Sequence, residues 1–319
     1  MMGGLLRSGL VLAGLVALLL AVSPAVVAQT YAVVPKSVDN PFFIDAEEGA
    51  KAAAAELGVE MLFVGPQTHD VAQQIAILED LILRGVDGIA LSPVDAQSVI
   101  PVVERARAEG IPVVTFDSDT AGGQGRIAFI GTNNFAAGVS AGEAFIRALP
   151  SGTYAIITGG LGAQNLNDRI DGFRSVLAKF GDAYREVAGS PFPTEDDIQR
   201  GIQVIEDLRT AYPDLDGIFM SGGWPQFAPQ AYVEALGPWA DEVRAGTFVV
   251  VSFDLLEQQV DLLRQGYSTA QVSQRPYAMG YQAIHALHRL YNGEALDFTV
   301  LDTGSDIVTP ASVDAFAAR

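Results

Sequence analysis

Short apolar, β-branched runs alternate with segments of helical periodicity along the chain, and this alternation constrains the fold most. Tyr31–Val34 is the first run, and the helix predicted over Pro41–Leu57 has Asn40 as N-cap and Gly58 at its end. Further strands are predicted at 59–64, 88–91, 111–116, 127–130, 154–158, 185–188, 217–220, 248–253 and 268–272. Helices are predicted over 70–83, 96–108, 136–149, 168–180, 195–211, 226–236, 255–264 and 277–291. This order builds parallel sheets covered by helices on both faces.

The alternation begins again at residue 127, which indicates two α/β lobes in place of one. No long low-complexity linker separates them. Short crossings near 131–134 and 274–276 would join the lobes side by side. The length of the chain also suggests about two domains.

The first 28 residues have the pattern of a secretory signal. Arg7 gives a positive start, residues 9–22 are apolar or small, and Ser23-Pro24 breaks the run before Ala28. The apolar run is shorter than the ~20 residues that a spanning helix needs. Cleavage after Ala28 would leave a mature, soluble, periplasmic chain that starts at Gln29. An uncleaved membrane anchor is the alternative.

Charge and cysteine content exclude some classes of partner and anchor. The chain has 38 acidic and 19 basic residues, a formal net charge of −19. Such a surface repels phosphate backbones, so nucleic acid is not an expected partner. With no cysteine, the chain has neither a disulfide nor a cysteine-linked lipid anchor.

Polar and aromatic side chains follow the predicted strands, where parallel α/β sheets bind ligands. Planar carboxylate, amide and guanidinium groups can each hold two hydroxyls, and aromatic faces cover the C–H side of a sugar ring. Each polar residue alone could instead be a turn or cap, one of the two Phe could be core, and Trp224 could be a packed loop aromatic. The candidate ligand-binding residues are Asn40, Phe42, Phe43, Ser92, Asp117, Ser118, Asn165, Arg169, Trp224, Asp254 and Gln274.

Several short segments, taken in order, resemble a known family. They are Asn40-Pro41-Phe42-Phe43, residues 80–89 (DLILRGVDGI), residues 111–117 (IPVVTFD), residues 169–173 (RIDGF), Ser252-Phe253-Asp254, and Gln274. Together they resemble the periplasmic sugar-binding proteins of ABC transporters, of the ribose-binding type with the LacI-like effector fold. The resemblance covers essentially the whole mature chain.

The resemblance implies a type I periplasmic binding protein: two Rossmann-like lobes with parallel sheets joined by a hinge. We expect an N-terminal lobe of residues 29–131 and 275–302, and a C-terminal lobe of residues 132–274 and 303–319. The family implies a monomeric receptor without catalysis, cofactor or metal that delivers a monosaccharide or small polyol to an ABC transporter permease. It places sugar contacts on all the candidates above except Asn165 and Trp224.

Two positions depart from the ribose-binding pattern. Ser118 stands where the family has Arg, and Gly222, with Trp224 close by, stands where it has Asn. The pieces Pro35-Lys36 and 117–120 are also similar to the autoinducer-binding and rhamnose-binding branch. A pentose, a hexose or a related polyol therefore remains open.

Two other classes of protein share parts of this pattern. A dehydrogenase could use two α/β lobes, but the glycine-rich run 159–162 does not complete GxGxxG, and no Walker or GxSxG motif is present. His285 and His288 have a helical spacing, but further zinc ligands are missing and His69 is isolated. A LacI-type regulator shares the effector fold, but the predicted signal peptide and the lack of a basic helix-turn-helix argue against it.

Processing of the exported protein gives a first prediction. The protein recovered from a periplasmic fraction should begin near Gln29 and be freely soluble, because a signal peptidase accepts the small residues before it. N-terminal sequencing of that fraction measures this. Recovery of the full-length chain in the membrane fraction would contradict it.

Overall fold

The computed structural model describes residues 29–317; the predicted signal peptide, residues 1–28, lies outside the described part. The described residues contain two β-sheets. The strands are β1 (Thr30–Val34), β2 (Glu60–Phe63), β3 (Gly88–Leu91), β4 (Val113–Phe116), β5 (Phe129–Gly131), β6 (Gly152–Thr158), β7 (Tyr184–Glu186), β8 (Phe192–Pro193), β9 (Gly217–Met220), β10 (Val249–Phe253), β11 (Ala270–Ser273), β12 (Val300–Asp302) and β13 (Asp306–Val308).

The first sheet has the order β2-β1-β3-β4-β5-β12, and every pair in it is parallel. The second has the order β7-β6-β9-β10-β11-β13, with β8 beside β6; only its edge strand β13 runs antiparallel among the described strands. The same order therefore occurs twice, and β4 in one sheet corresponds to β10 in the other. The predicted fold of two α/β lobes is confirmed.

Helices cover both faces of the two sheets. They are α1 (Pro41–Leu57), α2 (Val71–Arg84), α3 (Ile100–Ala108), α4 (Asn134–Ala148), α5 (Gln164–Leu177), α6 (Ile198–Ala211), α7 (Pro229–Leu236), α8 (Trp239–Ala245), α9 (Glu257–Arg264), α10 (Pro276–Tyr291) and α11 (Val313–Ala317). The caps expected for α1 are present: Asn40 Oδ1 accepts from Phe42 N at 3.0 Å, and Gly58 has φ of 68°. Only glycine enters that left-handed region without strain.

Some predicted helix boundaries were wrong. The helix predicted from residue 96 begins at Ile100, because Asp95 Oδ1 accepts from Gln97 N and Ser98 N and holds a turn there. The helix predicted from residue 226 is a 3-10 turn, Trp224–Phe227, followed by α7, which starts at a proline. The helix predicted from residue 168 already begins at Gln164, and this places Asn165 and Arg169 on one helix.

The chain passes between the sheets three times. It crosses after β5, after β11, and between β12 and β13, since these last two strands belong to different sheets. As a result, α10 packs on α1, and α4 packs on α5. We refer to the unit around the first sheet as the N-terminal lobe and to the unit around the second as the C-terminal lobe.

One hydrophobic cluster continues from the N-terminal lobe into the C-terminal lobe. It joins Phe43 and Phe116 of the first lobe to Leu166, Trp224 and Phe227 of the second. The other large clusters lie within single lobes. The two lobes are therefore in apolar contact at the cleft where the carboxyl ends of their strands meet.

Candidate functional site

The cleft between the lobes contains a buried group of polar side chains that follow the strands. In a doubly wound sheet the crevice lies beyond the carboxyl ends of the strands, at the point where strand order reverses. Here both lobes direct this edge toward the same small cavity. Its lining is Lys36, Asn40, Phe42, Phe43, Asp117, Asn165, Leu166, Arg169, Asp196, Gly222, Trp224, Asp254 and Gln274.

The carboxylate of Asp117 is the centre of this group. Ser92 Oγ donates to its Oδ2 at 2.8 Å, and Asn165 Nδ2 donates to its Oδ1 at 3.1 Å. Lys36 Nζ lies 3.5 Å from Oδ2 and donates to Asn165 Oδ1 at 2.9 Å. Since Lys36 and Asp117 belong to the N-terminal lobe and Asn165 to the other, these bonds connect the lobes.

Arg169 extends from α5 into the floor of the cleft on the C-terminal side. Its three nitrogens donate to Asn134 Oδ1, Ser221 O and Gln274 Oε1 at 2.8, 2.9 and 2.7 Å. Its Cζ lies 4.3 Å from the ring centroid of Phe253, a cation–π geometry that fixes the guanidinium plane. Arg169 Nη2 is 4.0 Å from Asp117 Oδ1 of the other lobe.

Asp254 is the second buried carboxylate. Gln274 Nε2 donates to its Oδ1 at 2.6 Å, and Gly223 N donates to its Oδ2 at 3.1 Å. Burial raises the pKa of Asp254, while the nearby Arg169 and the hydrogen bond from Gln274 act in the opposite direction. Burial also lowers the pKa of the Arg169 guanidinium, opposed by Asp117 and Asp254.

Both carboxylates stand on strained backbone at equivalent places. Asp117 follows β4 with φ of 59°, and Asp254 follows the corresponding strand β10 with φ of 69°. Positive φ is uncommon for residues other than glycine, and such conformations concentrate at functional sites. Around Asp117, the N–H of Ser118 donates to Phe116 O at 2.6 Å and closes a three-residue turn. This turn directs the Asp117 side chain into the cleft.

Aromatic rings close the apolar side of the cavity. Phe42 and Phe43 meet edge to face with centroids 5.3 Å apart, and Phe43 also packs on Phe116 at 6.1 Å. Both rings line the cavity and both belong to the core cluster. Trp224 likewise lines the cavity and is only 4% exposed. It is therefore both a wall residue of the cavity and a packed loop aromatic.

Nine of the eleven candidate residues line this cavity; the structure does not place Ser92 and Ser118 on its wall. Ser92 instead donates a hydrogen bond to the Asp117 carboxylate. Ser118 is fully buried, and its Oγ has no hydrogen-bond partner among the described residues. The prediction missed Lys36, whose position directly after the first strand was the available signal.

The cavity is small in this arrangement of the lobes. Its volume is about 30 Å³, and one water needs roughly 10–15 Å³ on the same measure. A monosaccharide can enter only if the lobes separate and the side chains exchange their mutual hydrogen bonds for bonds to the ligand.

The histidines outside the cleft are not arranged as a metal site. His285 Nε2 lies 3.9 Å from Glu56 Oε2, and His288 Nδ1 lies 3.0 Å from Gln29 Oε1. Among residues 29–317, no three His, Asp or Glu side chains are grouped to hold a metal ion. In the same range, no helix has the length and hydropathy required to cross a membrane.

Comparison with known proteins agrees with this geometry. A family model described as a periplasmic binding protein domain matches residues 31–295, so the chain belongs to the periplasmic binding protein family. The resemblance stated from the sequence is confirmed, and the family is one of transport receptors, which are not enzymes. The fold is that of a type I periplasmic binding protein.

Relatives cover most of the chain. Ribose import binding protein RbsB of Haemophilus influenzae is 27% identical over 280 residues, covering 87% of this chain and 91% of that protein. The D-allose-binding periplasmic protein of Escherichia coli is 29% identical over 276 residues, covering 83% and 85%. A solute-binding protein of an ABC transporter from Burkholderia graminis, solved in complex with D-arabinose, is 39% identical with a TM-score of 0.80, covering 89% and 96%.

Removal of the buried guanidinium should destabilise the C-terminal lobe. In Arg169→Ala, the buried carboxylates Asp117 and Asp254 lose a nearby buried cation, and removing one partner of a buried charge pair costs about 3–5 kcal/mol. Urea unfolding can be followed by fluorescence, because the only tryptophans, Trp224 and Trp239, lie in this lobe. We expect a free energy of unfolding lower by that amount.

Arg174→Ala is the matched control on the same helix. Arg174 Nε donates to Glu186 Oε2 at 2.9 Å, but the Arg174 side chain is 38% exposed. Partly exposed pairs contribute about 1 kcal/mol or less. Equal losses of stability in the two variants would contradict the buried-charge role of Arg169.

Proposed function

We propose that this protein is the receptor of an ABC importer that captures a neutral monosaccharide or related small polyol between its two lobes. One observation carries the proposal: buried planar groups of both lobes, Asp117, Asn165, Arg169 and Asp254, meet in one cavity. The relatives named above are ribose-, allose- and arabinose-binding proteins, which supports the same class of ligand.

The chemistry of the wall suits a polyhydroxylated ligand. Each carboxylate accepts from two adjacent hydroxyls, and a guanidinium donates to two. Phe42, Phe43 and Trp224 offer apolar faces to the C–H side of a ring. The cations Lys36 and Arg169 stand beside the carboxylates Asp117 and Asp254, and a third carboxylate, Asp196, also lines the cavity. The wall therefore has no excess of positive charge and favours an uncharged ligand over an anion.

Capture follows from the division of these groups between the lobes. A ligand that bonds to both Asp117 and Arg169 stabilises only the form in which the lobes meet. The present bonds of Asn165 to Lys36 and Asp117 show that these groups come within bonding distance when the cleft is closed. Rotation about the three crossings opens the cleft for exchange.

The departures from the ribose-binding pattern bear on which sugar fits. Gly222 has no room for a side chain, because a Cβ there would overlap the indole of Trp224, which therefore forms this part of the wall. Lys36 also lines the wall, and it lies in the segment that resembles the autoinducer- and rhamnose-binding branch. Pentoses, hexoses and rhamnose are the substrates to compare.

The remaining parts of the proposal concern the cell. Export through a cleaved signal peptide would bring the receptor to the periplasm. The name of the D-allose-binding periplasmic protein of Escherichia coli gives the same compartment for that relative. There the closed, loaded monomer would dock on a membrane permease and release its ligand for transport. No nucleic acid, metal or cofactor takes part.

Binding of a sugar should raise the melting temperature, because a ligand that binds only the folded state stabilises it. A thermal-shift panel of D-ribose, D-allose, D-arabinose, D-fucose, L-rhamnose and D-glucose identifies the ligand, and calorimetry gives its Kd. Asp117→Ala, Arg169→Ala and Asp254→Ala should then each weaken binding at least about tenfold, since a bond to a charged group contributes about 1.5–3 kcal/mol.

His285→Ala and His288→Ala serve as controls for the binding measurement. Both residues lie on α10 outside the cavity, so the Kd should equal that of the parent. Parent-like binding by folded Arg169→Ala and Asp254→Ala would place the ligand elsewhere. A parent that binds no sugar of the panel would contradict the proposed function.

Closure gives an independent prediction. The radius of gyration should fall when the sugar identified in the panel saturates the protein, because the ligand selects the closed form. Small-angle X-ray scattering with and without the sugar measures it. An unchanged radius would mean that the ligand does not shift the lobes.

A further inference from the structure

The glycine-rich segment 159–162, between β6 and α5, contacts the opposite lobe although it does not line the ligand cavity. Ala96 N, in the loop between β3 and α3 of the N-terminal lobe, donates to Gly162 O at 3.0 Å. This is a direct backbone hydrogen bond between the two lobes. It can exist only while the lobes are together.

Two glycines of this segment have no room for a side chain because of the opposite lobe. A Cβ on Gly162 would overlap the carboxylate of Asp95, and a Cβ on Gly160 would overlap the imidazole of His69. Neither glycine has a positive φ, so their own backbone would accept alanine without strain. Alanine at either position would therefore have to displace a side chain of the opposite lobe in the closed form.

His69 is held on a second side by the C-terminal lobe. Its Nδ1 lies 3.4 Å from Glu195 Oε2, and its side chain is only 7% exposed. Glu195 itself has φ of 54°, an unusual backbone conformation for this residue type. The imidazole of the N-terminal lobe thus sits between Gly160 and Glu195 of the other lobe.

We propose that segment 159–162 is a closure latch: its backbone docks on His69, Asp95 and Ala96 and stabilises the closed form without touching the ligand. The latch sets how much of the protein is closed, and through this the affinity, because a ligand's apparent Kd depends on the fraction of protein in the competent state. The link to affinity rests on the proposed function; the latch itself does not.

Replacing either glycine by alanine tests the latch without disturbing the folding of the lobes. In Gly160→Ala and Gly162→Ala the added methyl group collides with the N-terminal lobe only when the lobes meet. Leu161→Ala is the matched control, because Leu161 lies in the same segment and is 56% exposed. All three variants should melt within a few degrees of the ligand-free parent, which shows that both lobes fold.

The distance between the lobes is measured without ligand. The chain has no cysteine, so Ala76→Cys on α2 and Gln203→Cys on α6 give one spin-label pair, on the helices that follow His69 and Glu195. Double electron–electron resonance should show a short-distance population in the parent and in Leu161→Ala. Gly160→Ala and Gly162→Ala should lose most of it.

Two results would overturn the latch: identical distance distributions in all four proteins, or a parent with only the long distance. With the sugar from the panel, calorimetry should show a Kd about tenfold higher in the two glycine variants. An unchanged Kd despite a lost short-distance population would overturn the link to affinity. If no sugar binds the parent, the proposed function fails while the distance measurement still decides the latch.

Discussion

The Asp117 carboxylate is the interaction on which the cleft depends. A buried carboxylate is costly unless it is paired and hydrogen-bonded, and here the bonds come from Ser92 behind it and Asn165 across the cleft. Lys36 and Arg169 supply the positive charge, one from each lobe. The two lobes are therefore matched electrostatically where they meet, and any occupant must replace these bonds with its own.

The repeated strand order explains why the site is nearly symmetric. Asp117 after β4 and Asp254 after β10 occupy equivalent positions, and both have positive φ. Each lobe thus contributes one carboxylate from one strained turn. The two carboxylates differ in the residues that surround them. Asp117 has a lysine and a serine, whereas Asp254 has the amide of Gln274 and the N–H of Gly223.

Local patterns predicted much of the fold and of the site. Capping residues such as Asn40 marked a helix correctly, and the rule that ligands bind after parallel strands located Arg169 and Asp254. What failed depends on contacts between distant segments. Lys36 becomes a cleft residue through its contacts with Asp117 and with Asn165 of the other lobe. Ser118 lies outside the cavity wall and is fully buried, which no side-chain pattern indicates. The short edge strands β12 and β13 are defined by their neighbours in the sheets.

The three crossings between the lobes also bear on the order of folding. The N-terminal lobe takes α10 and β12 from near the end of the chain, and α10 packs directly on α1. During synthesis this lobe cannot complete its core until those late segments have left the ribosome, because contacts between distant residues form only when both are present. A chain built in this way stays incompletely folded while it is made, which is the condition in which an unfolded polypeptide can be threaded through a translocation pore.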